Sequence, residues 1–153
     1  MATRRHDALM PLTHDHHHAL AQARLLRQAG KLDQSERLER AREFVDFFER
    51  DTLLHFREEE EGLLPLLADH VEERDLLLQI LAEHLEIHRR VHGLRRGLAA
   101  GDVAGEDLVG LGELLAGHVR LEEKQLFPLA EAAVPEEVLA ELAFAERDRG
   151  TPP

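Results

Sequence analysis

Two segments of the chain place a histidine four residues before a glutamate: His55 with Glu59, and His118 with Glu122. Residues four apart on a helix lie one above the other, so each pair presents an imidazole and a carboxylate on one face. Imidazole nitrogen and carboxylate oxygen are both ligands of divalent transition metals. Each pair is therefore predicted to bind one metal ion.

The two pairs belong to a partial internal repeat. The segment HFREEEEGLLPL at 55–66 matches HVRLEEKQLFPL at 118–129, sharing histidine, arginine, two glutamates, leucine and proline at an offset of 63 residues. Two further segments each carry an acidic residue followed by a histidine, at 15–16 and 83–84. A unit of two helices is thus predicted to occur twice.

Composition limits what the protein can bind. The 31 acidic and 19 basic residues give a net charge of -12, which repels phosphate backbones and anionic lipid, so neither nucleic acid nor a membrane is an expected partner. The absence of cysteine excludes disulfides, thiolate sites and iron-sulfur clusters. No apolar stretch resembles a membrane span or a secretory signal, and a cytoplasmic protein is expected. Any metal must be held by nitrogen and oxygen.

The elements that position these residues are predicted to be helices. Leu, Ala, Glu and Arg dominate and β-branched residues are few, which favours an all-α fold. Four long helices are expected at about 13–29, 33–65, 71–100 and 105–128, followed by a short C-terminal fifth helix at about 135–147 and a frayed tail at 148–153. Short connections predict an up-down-up-down antiparallel four-helix bundle. One domain, 1–153, is expected, with its core at about 9–131.

Apolar residues at helical spacing indicate that the histidines face inward. The expected stripes are Leu9, Leu12, His16, Ala19, Ala23 and Leu26; Phe44, Phe48, Thr52, His55, Glu59, Leu63 and Leu66; Leu77, Leu81, His84, His88, Val91 and Leu98; and Leu111, Leu115, His118, Glu122, Leu126 and Leu129. Each of the four long helices is then expected to direct polar side chains into the interior of the bundle.

The inward polar residues predict a dinuclear metal site. A lone HxxxE pair is more often a solvated surface pair, but burying two carboxylates without compensation would cost several kcal/mol for each charge. A buried cation removes that cost. Five imidazoles and two carboxylates exceed the needs of one tetrahedral zinc and suit two octahedral ions bridged by the carboxylates. Iron fits best, with manganese and zinc as alternatives. The predicted metal ligands are His16, His55, Glu59, His84, His88, His118 and Glu122.

Several further histidines and glutamates lie near this set in the sequence. On the first helix His14, His17 and His18 compete with His16, and His17 is its main rival. His92 is expected at the rim of the site. The glutamates beside the ligands are expected to form a solvated acidic face: Glu58, Glu60, Glu61 and Glu123. A ferritin-like site is disfavoured because no histidine has a glutamate three residues before it.

The order H…HxxxE…H…HxxxE resembles the signature of the hemerythrin-like HHE family over about residues 9–131. His84 and His88 are similar to the third helix of oxygen-carrying hemerythrins, in which both histidines bind iron. The resemblance implies three histidines on one iron and two on the other, with Glu59 and Glu122 bridging the ions together with an oxo or hydroxo group.

The resemblance and the ligand set favour reversible binding or sensing of dioxygen, or of another small exogenous ligand, at a di-iron centre. Iron handling, storage or metal sensing is the first alternative, and a di-iron enzyme acting on peroxide or nitric oxide is the second. No catalytic acid or base stands out beyond the ligands, so a binding protein is preferred over an enzyme. A metal-free helical interaction module is a further alternative. No protein partner is indicated.

Overall fold

The computed structural model describes residues 4–142 and 144, and every regular element in them is helical. This confirms the all-α prediction. The helices are α1 Met10–Arg27, α2 residues 34–70, α3 Asp75–Ala100, α4 residues 105–133 and the short α5 Glu136–Leu139. None of the helices in this part of the chain combines the length and the hydrophobicity that crossing a bilayer requires.

The four long helices pack in chain order around a common interior. Helix α1 contacts α2 and α4, and α3 contacts the same two neighbours. The connections at 28–33, 71–74 and 101–104 are short, which places consecutive helices antiparallel. The molecule is the predicted four-helix bundle.

Local signals explain the helix ends. The side chain of Asp33 accepts a hydrogen bond from the backbone N–H of Glu36 at 2.9 Å, and the Glu36 side chain accepts one from the Asp33 N–H, so a capping box opens α2. Helix α3 ends at Gly101, whose φ of 72° is a left-handed conformation that favours glycine.

Other predicted ends need correction. Helix α1 begins at Met10, with Pro11 in its first turn where a missing N–H is tolerated. Helix α3 begins at Asp75 because 71–74 form the connection, and α4 continues past Pro128 to Ala133. The fifth helix is only four residues long. Position 143 and the tail 145–153 lie outside the described residues.

Three wide π-helical turns interrupt α2 and α4. They are Phe48–Thr52, Glu59–Leu63 and Glu122–Leu126. In the last two, the N–H of Leu64 donates to the Glu59 carbonyl and the N–H of Phe127 donates to the Glu122 carbonyl, each five residues back. These two turns begin at the glutamates of the two repeats.

A proline follows each of these two π turns after one intervening residue. In a regular α-helix, a proline ring clashes with the carbonyl four residues earlier. The wider turn ends two residues before Pro65 in α2 and two residues before Pro128 in α4, and both helices then continue. The repeated proline thus coincides with the repeated π turn.

The π turns keep residues at four-residue spacing facing inward. In an α-helix each four-residue step drifts by roughly 40° around the axis, whereas a π turn contains an extra residue and offsets this drift. The inward ladder of α2 is continuous through both of its π turns, and its buried members are Phe44, Phe48, Thr52, His55, Glu59, Leu63 and Leu67. The predicted Leu66 and Leu129 are only partly buried, and Leu67 and Ala130 take the inward positions.

Helix α3 is a regular α-helix throughout, so its predicted four-residue ladder drifts outward. Leu81 is 41% exposed and His88 is also exposed, while Ile80 and Ile87 are fully buried. The predicted inward stripe is therefore wrong at Leu81 and His88.

Two apolar clusters lie on either side of a polar layer. Along α1, His16 separates Leu12 of one cluster from Ala19 of the other. Helix α3 changes cluster at His84, and α2 and α4 change cluster at Glu59 and Glu122. The polar layer is thus enclosed by apolar packing at both ends.

Helices α1 and α4 approach closely at Gly112. A Cβ at this position would lie 2.7 Å from the Ala23 carbonyl oxygen and 2.9 Å from the Leu26 Cβ. We expect Gly112→Ala to force the helices apart and to lower the free energy of unfolding by about 1–3 kcal/mol, measured by urea denaturation of metal-free protein.

A second glycine of α4 provides the control. A Cβ at Gly117 would find only the Arg120 Nη2 atom, at 3.9 Å. Gly117→Ala should therefore stabilise the protein by roughly 0.5–1 kcal/mol through helix propensity. Equal effects of the two substitutions would contradict the close contact at Gly112.

Candidate metal centre

Six polar side chains from four helices meet in the polar layer. They form two groups whose ligating atoms lie within 4.8 Å of one another, namely His16, His55, Glu59 and Glu122, and Glu59, His84, His118 and Glu122. All six residues are buried, and Glu59 and Glu122 are 0% exposed. The two groups share both glutamates.

The carboxylate of Glu122 lies between the two pairs of imidazoles. Its Oε1 is 2.8 Å from His16 Nε2 and 3.7 Å from His55 Nε2. Its Oε2 is 3.3 Å from His118 Nε2 and 3.8 Å from His84 Nε2. One oxygen thus faces each pair.

Glu59 has the equivalent arrangement. Its Oε2 lies 3.3 Å from His55 Nε2, and its Oε1 lies 3.1 Å from His84 Nε2. The two glutamates are therefore arranged to bridge two positions, each with two imidazoles.

Several polar atoms of the cluster lack a suitable hydrogen bond. Within the described residues, no hydrogen-bond partner is found for the buried Nε2 atoms of His55, His84 and His118, both carboxylate oxygens of Glu59, or Oε2 of Glu122. The imidazole nitrogens and the carboxylate oxygens are close together, but the angles between them are unsuitable for hydrogen bonds. A buried polar atom left unsatisfied costs about 1–3 kcal/mol, and cations placed among these atoms would satisfy all of them. The donor set therefore fits metal ions.

The second nitrogen of each imidazole is bound to an outer carboxylate. The Nδ1 contacts are His16 with Glu123 at 2.6 Å, His55 with Asp15 at 2.8 Å, His84 with Glu60 at 2.7 Å and His118 with Glu83 at 2.8 Å. Glu123 is only 26% exposed at its side chain, so the expectation of a solvated face is wrong there, whereas Glu60 is exposed as expected and also binds His84. The acidic residue before each of two histidines, and the glutamate after each bridging glutamate, were the sequence signals for these contacts.

A family model agrees with this geometry. The model of the hemerythrin HHE cation-binding domain matches residues 8–130, which include the whole cluster. The chain belongs to the hemerythrin HHE cation-binding domain family. No curated protein and no solved structure matches it. Family membership and the buried cluster together identify a cation-binding domain.

The hemerythrin-family cluster contains four imidazoles where the sequence predicted five. His88 lies one turn beyond His84 on α3 and is exposed, with its ring edge-on to Phe48 at 5.3 Å. The structure does not bring His88 to the cluster, because α3 has no π turn that would keep it on the inward face. His92 is also exposed.

On α1, the structure separates the competing histidines. His16 is 3% exposed and contributes to the cluster, while His14 and His17 are exposed. His18 lies at the edge of the site, and its buried Nε2 has no hydrogen-bond partner among the residues described. The preference for His16 over His17 agrees with this placement.

A small cavity adjoins the cluster of this hemerythrin-family domain. It measures about 20 Å³ and is lined by His16, His55 and His118 together with apolar side chains such as Phe47 and Leu115. A space of roughly 10–15 Å³ on this measure holds one water molecule. The cavity therefore accommodates one molecule of only a few atoms.

The carboxylates of the hemerythrin-family site control the charge of its imidazoles. Burial alone would lower the pKa of His118, but Glu122, Glu83 and Glu59 outweigh burial and raise the pKa to about 10. Burial is likewise outweighed at His84, where Glu122 and Glu59 raise the pKa to about 9. The pKa values of His16 and His55 are raised in the same way. Without metal, His84 and His118 are thus protonated at neutral pH, and binding of metal ions would displace these protons.

We expect the stability of the metal-free domain to fall as pH rises. The folded-state pKa values of His84 and His118, about 9 and about 10, exceed the unfolded value of about 6.5. Their stabilising contribution is therefore complete below about pH 6.5 and is lost as pH rises through the folded values. Urea denaturation in the presence of a chelator at pH 6, 8 and 10 measures this trend. A constant or rising stability over that range would contradict the assigned charges.

Proposed function

We propose that this domain holds two iron ions at the six-residue cluster and reversibly binds dioxygen there. The observation that carries the proposal is the placement of Glu59 and Glu122, each of which directs its two oxygens toward different imidazole pairs. A carboxylate with this orientation is suited to bridging two cations. In the proposed centre, His16 and His55 would hold one ion and His84 and His118 would hold the other.

The number of ligands favours iron. Each position receives two imidazole nitrogens and one oxygen from each glutamate, which makes four protein ligands. Four ligands complete a tetrahedral zinc site but leave two positions of an octahedral ion free. The cavity beside His16 and His55 provides space for a molecule at such a position. These two features together support iron with an exchangeable ligand.

The cavity limits the class of the ligand. A volume of about 20 Å³ admits a diatomic or similarly small molecule and excludes a substrate of ordinary metabolite size. A pair of ferrous ions supplies the electrons that dioxygen binding requires. The chain's own side chains orient the imidazoles, keep bulk water from the buried layer and present an apolar wall through Phe47, Leu115 and Val119.

Metal analysis and absorption spectroscopy test the proposal. Protein loaded with Fe²⁺ under anaerobic conditions should contain about two ions per chain. Admission of oxygen should produce a new absorption band, and removal of oxygen should abolish it. The same protein loaded with zinc should show no such change.

The alternatives give different results. A band that forms irreversibly, or bleaching with loss of iron, would instead indicate iron handling or turnover of peroxide or nitric oxide. Binding of a single ion per chain at saturation would contradict the dinuclear centre.

A further inference from the structure

We propose that Asp15, Glu60, Glu83 and Glu123 form an outer carboxylate ring whose members are positioning residues for the four imidazoles. In this ring each carboxylate holds one Nδ1 atom and thereby turns the corresponding Nε2 toward the metals. The inference rests on the proposed metal site and extends it to four residues that touch no metal.

The ring closes in the order of the helices. Each helix supplies a carboxylate to the histidine of the next one, from α1 to α2, α2 to α3, α3 to α4 and α4 back to α1. The pairs in this order are Asp15 with His55, Glu60 with His84, Glu83 with His118, and Glu123 with His16. Every inward imidazole therefore has one outer carboxylate.

The contacts have the chemistry that orients a metal ligand. Their lengths, from 2.6 to 2.8 Å, are those of charge-assisted hydrogen bonds. When Nδ1–H donates to a carboxylate, the lone pair of a neutral imidazole resides on Nε2. Each ring is thereby fixed in the tautomer and the rotation that metal binding needs.

The four carboxylates of the ring lie at equivalent positions in the two halves of the sequence. On α1 and α3 the outer carboxylate belongs to the residue before the histidine, Asp15 and Glu83. On α2 and α4 it belongs to the residue after the bridging glutamate, Glu60 and Glu123. Each half of the chain thus supplies two members at equivalent positions, which a chance set of surface acids would not do.

The carboxylates of the ring differ in how many hydrogen bonds they make besides the one to an imidazole. Glu123 also accepts hydrogen bonds from Thr13 at 2.9 Å and from Arg5 at 3.1 Å. Glu60 is 39% exposed at its side chain, and in the described part of the chain its carboxylate contacts only His84. Replacing Glu60 therefore removes the contact with His84 while leaving the other supports intact.

Glu60 and its neighbour Glu61 offer a matched experiment with Zn²⁺ as the probe. Glu61 is exposed and pairs with Arg57 on the surface at 2.7 Å. We expect Glu60→Ala to weaken binding of zinc by about 10- to 100-fold, with unchanged helicity, and Glu61→Ala to leave it unchanged. Glu60→Gln should recover part of the loss, because its amide oxygen still accepts from Nδ1–H.

Nitrogen-15 NMR of the zinc-loaded protein gives a readout that a purely structural role would not change. In the wild type, all four imidazoles should bind zinc through Nε2 and show a protected Nδ1–H. Glu60→Ala should alter the Nδ1–H signal of His84 while the signals of His16 and His55 remain. If Glu60→Ala fails to fold, Glu60→Gln replaces it in the test. A shifted Nδ1–H signal of His84 in Glu60→Gln would then support the outer carboxylate ring, and an unshifted signal would contradict it.

The outcomes separate this inference from the proposed function. Unchanged zinc affinity and an unchanged His84 signal in the Glu60 variants would overturn the outer carboxylate ring and leave the metal site standing. Zinc bound without these imidazoles, or through their Nδ1 atoms, would overturn both. Loss of reversible oxygen binding in the iron form, with the zinc results as expected, would overturn only the proposed function.

Discussion

Glu59→Gln is expected to reduce the iron content from about two ions per chain to one or fewer, with the remaining ion held more than about 100-fold more weakly. The amide keeps the size of the carboxylate but offers one acceptor oxygen in place of two. A single amide oxygen therefore cannot bind both the ion beside His55 and the ion beside His84. The two carboxylate oxygens of Glu59 are placed to do so, because one faces each imidazole. Iron titration of the folded variant measures both effects.

The symmetry of the site provides one control and the neighbouring sequence another. Glu122→Gln should behave like Glu59→Gln, because the two glutamates occupy equivalent positions. Glu61→Gln, two residues away and 61% exposed at its side chain, should retain both ions. Equal loss of iron from the Glu59 and Glu61 variants would show that the inward face has been assigned incorrectly.

Removal of both ions should lower the melting temperature by roughly 15–30 °C. An ion present at about 1,000 times its dissociation constant stabilises the folded state by about 4 kcal/mol. Two such ions contribute about 8 kcal/mol, and each kcal/mol shifts the melting temperature of a chain of this size by about 2–4 °C. Calorimetry of chelated protein, compared with the same sample after reloading, measures the shift.

The metal-free domain should still melt as a folded bundle. Its two apolar clusters do not depend on the ions, and its imidazoles can form ion pairs with the buried carboxylates. Full recovery of the melting temperature on reloading is the control. Identical melting curves for chelated and reloaded protein would mean that the ions contribute nothing to folding.

The sequence predicted the features that depend on local spacing. The HxxxE pairs lie on the inward faces of α2 and α4, and the stripe of α1 correctly selects His16. Such predictions succeed because helical geometry alone determines which residues share a face over two or three turns.

The features that sequence reasoning missed depend on breaks in that geometry or on contacts between helices. The ladder from His84 to His88 follows the same four-residue spacing as the ladder of α2, but α2 has π turns that hold this spacing inward and α3 has none. The repeated prolines, Pro65 and Pro128, were the available signal. The role of Glu60 and Glu123 could not be inferred from their own helices, because each contacts a histidine on a neighbouring helix.

The equivalence of the two halves has a consequence for how such a site can arise. Each half of the chain supplies the same five side chains to the site, namely two imidazoles, one fully buried inner carboxylate and two outer carboxylates. A homodimer of one helical hairpin with twofold symmetry would already assemble all of them, so duplication and fusion of its gene would preserve a working site. Fusion then allows each copy to diverge alone. The contact of Arg5 with Glu123, which the equivalent Glu60 does not have within the described residues, is a difference that a symmetric dimer could not have confined to one side.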